Sequence, residues 1–276
     1  MKKTLKNKIK WGALALSSSV LVACAAVDTT GTGTVGIDRK QYMSSLVSET
    51  ELNQTAAQQY SQLIGQARQQ SALDVNKAQT QRVKTIAQRL IAQVGIFRPD
   101  AQNWDWQIHV INSDEVNAWC MPGGKMAVYT GLINQTKATD DELAAVIGHE
   151  IAHALREHSR EQMSQKMATG IGLSVISAIT GVAAVNDLGG TLTEVMFELP
   201  NSRTHETEAD LLGVELAARA GYDPRAAMTL WQKMAALGGG GTPEFLSTHP
   251  SPASRINDLS VAAERVMPLY EQNRRK

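Results

Sequence analysis

The sequence predicts an α+β fold, mostly α, with a small β-sheet or hairpin flanking one central helix. Three observations carry this. Apolar residues recur at helical spacing around 75–94, 142–158 and 252–270. One stretch, Trp104 to Ile111, alternates instead, and a Pro122-Gly123-Gly124 turn follows it. The roughly 250 residues left after a leader suffice for one good-sized core.

The leader is residues 1–23. Five lysines (Lys2, Lys3, Lys6, Lys8, Lys10) precede Trp11 to Ala23, an uncharged apolar run too short to span a bilayer. It ends in Leu21-Val22-Ala23-Cys24, which resembles the bacterial lipobox, where the Cys becomes the acylated first residue. Ala25 follows with no Asp to signal inner-membrane retention. The expected place is therefore a bacterial outer membrane, lipid-anchored through Cys24 and facing the periplasm. With Cys24 acylated, Cys120 has no intramolecular partner; it reads as a buried small hydrophobe or a site of mixed disulfide.

Residues 24–37, rich in Thr and Gly, read as a flexible tether. Residues 38–276 read as a single domain, with 38–72 forming a helical wrap. Val83, Ile86, Leu90, Ile91 and Val94 give the next helix an inward stripe, and Gly95 and Pro99 stop it. Trp104, Trp106, Ile108 and Val110 share one side of a strand. Asn117 to Gly131 forms a hairpin, either purely structural or offering an edge at Asn117 and Ala118 to an extended peptide. Met163 to Asn186 is almost uncharged, yet its Gly and Ser content argues for a buried helix, a helical pair or a lid over a spanning helix; resting on the bilayer is the other reading. Asp223-Pro224 and Pro252 start the last two long helices.

The leader removes five lysines and no acids, leaving 22 Lys+Arg against 27 Asp+Glu. That balance gives no basic patch for nucleic acid.

The chemistry sits in Glu142 to His158, which contains His149-Glu150-Ile151-Ala152-His153. On a helix the two histidines stand one turn apart, with Ile147, Ile151 and Leu155 roughly opposite, so the helix buries one side and presents two imidazoles on the other. Neutral imidazoles suit Zn²⁺, and Glu150 stands ready to take a proton from a water the metal activates. A third ligand is needed. The helix beginning near Arg203 offers Glu206 and Asp210 on one face, with Ala209 and Gly213 allowing close helix packing. His149, His153 and Glu206 make a three-ligand site with a fourth position open, the pattern of a catalytic zinc, one ion per chain.

Asn117-Ala118-x-x-x-Pro122-Gly123-Gly124, His149-Glu150-x-x-His153 and Glu206-x-x-Ala209-Asp210, in that order, resemble the gluzincin metallopeptidase family of HtpX, BepA and the CaaX prenyl proteases. The resemblance covers roughly residues 40–270. It implies a zincin-like peptidase domain, zinc ligands at His149, His153 and Glu206, a general base at Glu150, a proton donor at Asp210, and an endopeptidase acting on proteins. For a lipoprotein member it implies unfolded or misassembled envelope proteins as substrates, and envelope proteases or chaperones as partners. Asp210 reads equally as an acceptor for a ligand His N–H. His249, in Ser247-Thr248-His249-Pro250, is by the same resemblance either a gate reaching the metal's open position or part of a plain loop. His205 points away from Glu206 as an orienting or surface residue, Arg203 either stabilises an oxyanion or forms a salt bridge, Glu208 is solvated or paired with an Arg, and His109 and His158 read as structural. The competing function is a metal-bound chaperone or adaptor with little turnover. A structural zinc protein is the third reading, and His249 is its one obvious fourth ligand.

Overall fold

The computed structural model describes residues 24–167, 188–237, 243–250 and 253–274. The expectation for 163–186 falls almost wholly outside them, as does Pro252. In chain order the elements are β1 (Cys24–Val27), β2 (Gln41–Ser44), α1 (Glu49–Gln69), α2 (Lys77–Ile91), β3 (Gln107–Ile111), β4 (Ala118–Met121), β5 (Lys125–Tyr129), α3 (Thr130–Thr136), α4 (Asp140–Leu155), α5 (158–167), α6 (Leu188–Phe197), α7 (Arg203–Arg219), α8 (Ala226–Ala236), α9 (Glu244–Thr248) and α10 (Ala253–Asn273). The α+β, mostly helical architecture is as expected.

The fold is built around α4. Thr139 and Glu142 close a reciprocal capping box at its start. Glu142 also accepts hydrogen bonds from Lys233 (2.7 Å) and Thr229 (2.8 Å) of α8. Every residue from Glu142 to Leu155 is buried, so α4 is covered on all sides rather than on a single stripe. Val83, Ile86, Ala87 and Leu90 of α2 join its core from one side, and Ala209, Leu212 and Leu216 of α7 from another.

β3 pairs parallel with β5, and β5 antiparallel with β4, in the order β3-β5-β4. The hairpin is confirmed: Gly123 and Gly124 take φ of +74° and +79°, the left-handed conformation a side chain resists. β4 is one of the two edge strands, β3 the other. The Tyr60 hydroxyl of α1 donates to the Met126 carbonyl (3.0 Å), seating α1 on the sheet over Trp119, Met121 and Ala127.

The tether expectation is overturned. Cys24–Val27 pairs with Gln41–Ser44, Val35 and Ile37 are buried, and the Val35 N–H donates to Glu215 at 2.9 Å. The glycines at 33 and 36 have φ of +61° and +79°, so they shape turns rather than confer slack. The helical wrap expected over 38–72 is present as one helix, α1, preceded by the short strand β2. Among the described residues, no helix is long and apolar enough to cross a membrane.

Candidate metal centre

His149 and His153 present their Nε2 atoms 3.0 Å apart. Glu206, in the first turn of α7, brings Oε2 to 3.6 Å from His149 Nε2 and Oε1 to 3.4 Å from His153 Nε2. His249, at the C-cap of α9, is the fourth member: ligand atoms of all four residues lie within 4.8 Å of one another, and all four residues are buried. Ser202 caps α7 by accepting the His205 N–H (3.1 Å), which sets Glu206 at the helix start.

The outward nitrogens explain why the Nε2 atoms converge. His149 Nδ1 lies 3.0 Å from Asp210 Oδ1, His153 Nδ1 lies 2.8 Å from His158 Nδ1, and His249 Nδ1 lies 3.1 Å from the Phe245 carbonyl. A proton on each Nδ1 leaves each Nε2 lone pair facing inward. Burial holds the His149 and His153 imidazoles well below their ordinary pKa, and burial takes His249 down to about 4, so all three stay neutral, the form a metal can bind.

These residues fit a metal. Glu206 Oε1 is buried without a hydrogen-bond partner among the described residues, a state that costs several kcal/mol by rough estimate unless a cation satisfies it. Three imidazole nitrogens and a carboxylate are a zinc donor set.

Glu150 stands beside the cluster. Its Oε1 is 3.4 Å from His249 Nε2, and its carboxylate accepts the Cys120 backbone N–H. Burial first, and Glu206 second, push its carboxyl well above the ordinary range. Tyr129 N–H donates to the Asn117 carbonyl, so by strand alternation Ala118 and Cys120 turn their peptide groups outward. Asn117, Ala118, Cys120, Glu150, His153, Val195, Phe197 and His249 line one cleft of about 40 Å³, room for a few waters and not for a peptide.

The family model for peptidase family M48 matches residues 77–263. This chain belongs to peptidase family M48. M48 metallopeptidases use zinc, and the four-residue cluster is where this member can hold it. Among curated proteins, this M48 chain is 38% identical over 169 residues to the mitochondrial metalloendopeptidase OMA1 of Arabidopsis thaliana, covering 60% of this chain and 34% of that one. It is 36% identical over 186 residues to human OMA1, covering 63% and 35%. It is 26% identical over 204 residues to the beta-barrel assembly-enhancing protease of Escherichia coli (strain K12), covering 70% and 41%. The chain spans about a third to two fifths of the length of these relatives.

Of the other residues singled out in the sequence, Arg203 departs from its expected role. Arg203 is exposed at the first position of α7 and lies outside the cluster. The arginine at the site is Arg255, from α10. It pairs with Asp210 Oδ1 (2.8 Å) and Glu206 Oε2 (2.6 Å) and stacks on Trp231 at 3.7 Å. Sequence reasoning missed it; its only local signal is its place just after His249-Pro250. Burial lifts Asp210 to about 6 against the pull of Arg255. His205 is buried, bonded to Glu161 (3.1 Å) and stacked on His158. Glu208 is buried with two arginines, Arg39 and Arg156. Cys120 is buried as expected, and burial pushes its thiol well up. His109 is engaged with Asp74 (2.6 Å), outside the cluster.

Proposed function

We propose that this M48 chain is a zinc-dependent endopeptidase that hydrolyses peptide bonds in unfolded or misassembled envelope proteins. It would work while anchored through acylated Cys24 to the periplasmic face of a bacterial outer membrane. The observation that carries the activity is the juxtaposition of Glu150, a buried carboxylate, with both the four-donor cluster and the outward peptide groups of β4.

In this reading His149, His153 and Glu206 hold the metal. When bound, zinc polarises a scissile carbonyl and acidifies water. Glu150 accepts the proton of the attacking water and returns it to the leaving amine. An extended substrate lies along β4, with its main chain against Ala118 and Cys120. Asp210 is engaged with His149 and Arg255, which supports its role as the acceptor that orients His149 rather than a proton donor to substrate. His249 is the gate: it contributes the fourth donor and, with Val195 and Phe197, narrows the cleft, so it must withdraw before a peptide enters.

The envelope substrate class draws on the resemblance to the beta-barrel assembly-enhancing protease and on the lipobox at Cys24. A structural zinc site is the second reading, favoured by the fourth protein donor, His249. The deciding experiment is cleavage of unfolded casein by the chain from residue 24 carrying Cys24→Ser, alone, with a chelator, and as Glu150→Gln, with metal content assayed on each sample. Cleavage by the parent alone, with zinc retained in Glu150→Gln, supports the peptidase. Retained zinc without cleavage, even after His249→Ala, leaves a structural or client-holding zinc protein. Palmitate labelling that is lost in full-length Cys24→Ser tests the anchor.

A further inference from the structure

His153 is the member of the cluster whose outward nitrogen meets a second imidazole. His153 Nδ1 and His158 Nδ1 face each other at 2.8 Å, so one carries the proton and the other accepts it. If His153 keeps its Nε2 lone pair for the cluster, its proton is on Nδ1. His158 then accepts at Nδ1 and carries its own proton on Nε2, which lies 3.1 Å from Glu208 Oε2. This assignment satisfies every nitrogen of the pair.

Glu208 is itself held. Arg156 donates to its Oε2 from Nε (3.0 Å) and Nη2 (2.8 Å), and Arg39 Nη2 donates to the same oxygen at 3.1 Å. Arg39 belongs to the segment between β1 and β2, and it also binds both oxygens of Glu161 at 2.8 Å. Glu161 in turn bonds His205, whose ring stacks on His158 at 4.4 Å and 11°. His158 is thus held at both ring nitrogens and on one face. Arg156, His158 and Glu161 are each no more than 1% exposed. Burying such charges costs as much as their pairing returns, by the usual balance, so stability alone is a weak reason for them.

We infer that His158 and Glu208 are positioning residues for His153: they fix its tautomer and ring angle, and Arg39 ties the N-terminal segment into the same relay. The inference rests on His153 being a metal ligand, and the test separates the two.

The chain from residue 24, carrying Cys24→Ser, is titrated with zinc against a chromophoric chelator. The samples are the parent, His153→Ala, His158→Phe, His158→Asn and Glu208→Gln. His158→Phe keeps a ring and removes the acceptor; His158→Asn puts an amide oxygen near the lost Nδ1. The expected result is a 10–100-fold loss of zinc affinity for His158→Phe, most of it recovered in His158→Asn, with a smaller loss for Glu208→Gln. Imidazole ¹⁵N–¹H correlation spectra of the parent should show His153 protonated at Nδ1 and His158 at Nε2. Zinc bound within threefold of the parent by a folded His158→Phe overturns the relay, provided His153→Ala does lose zinc. If His153→Ala also keeps it, the ligand assignment fails first. A His158 proton found on Nδ1 overturns the relay without any variant, so a His158→Phe that fails to fold leaves the test intact.

Discussion

Gly213 of α7 lies against the backbone of His149 of α4: a Cβ added at Gly213 would stand 2.7 Å from the His149 amide nitrogen. The reciprocal position is as tight, with a Cβ at Gly148 meeting the Gly213 carbonyl at 2.9 Å. Two helix backbones in contact here allow Glu206, two turns before Gly213, to reach the imidazoles of α4. The expected outcome for Gly213→Ala is a loss of about 1–3 kcal/mol of stability from overpacking. Zinc affinity should fall with it, because the blocked atoms are backbone and cannot swing aside. Thermal melting with and without zinc checks both effects.

Glu150→Gln should retain zinc while turnover falls by about 10²–10⁴-fold, the range for loss of a general base. Its carboxylate is outside the four-residue cluster that could hold a metal, so activity and metal content should separate. Parallel assays of casein cleavage and metal content decide it, and loss of both together would place Glu150 among the ligands.

His249→Ala should raise cleavage several-fold and lower zinc affinity modestly, since it removes a donor and widens the cleft at once. The neighbouring Thr248 and Phe245 contacts to His249 Nδ1 hold the ring in its inward pose. Rates on casein for parent and variant at saturating zinc check this. Unchanged cleavage would make His249 a plain loop residue.

Acid should loosen the N-terminal segment. The side-chain bond from Arg39 and that from His205 overcome burial and take the Glu161 carboxyl from 4.5 down to about 2. A depressed folded pKa means the stabilisation is fully present above 4.5 and is lost as pH falls from 4.5 through about 2. Arg39→Ala should cost about 1.5–3 kcal/mol at pH 6, the worth of charged hydrogen bonds, and the gap from the parent should shrink below pH 4.5. Denaturant unfolding at pH 6 and pH 3 measures it.

His149, Glu150 and His153 were legible because their relation is local: one helical turn sets it, and the apolar residues around them announce the helix. Glu206 was legible through chemistry, since two histidines need a third ligand and the α7 stretch supplies a carboxylate at a helix start. Arg255 and His158 were not. Arg255 lies 106 residues from His149, and its meeting with Asp210 depends on how α10 crosses α7. His158 follows the motif closely, but only the break after Leu155, with Glu157 at a φ of +50°, turns it back toward His153. The 24–37 segment was misread because glycine and threonine serve flexible chains and tight turns alike. The buried Val35 and the bond to Glu215 decide between them.

The sequence by itself determined the helical framework, the β4–β5 hairpin, and the donor types that make a zinc site with an adjacent base. Those follow from periodicity, turn residues and local spacing. The tertiary structure decided which nitrogen each histidine turns inward, that His249 joins the cluster, that Arg255 rather than Arg203 stands at it, and that the N-terminal segment is packed. The reason is range: a metal site needs atoms from three separate helices within a few ångströms, and contacts between distant segments leave no period in the chain to read.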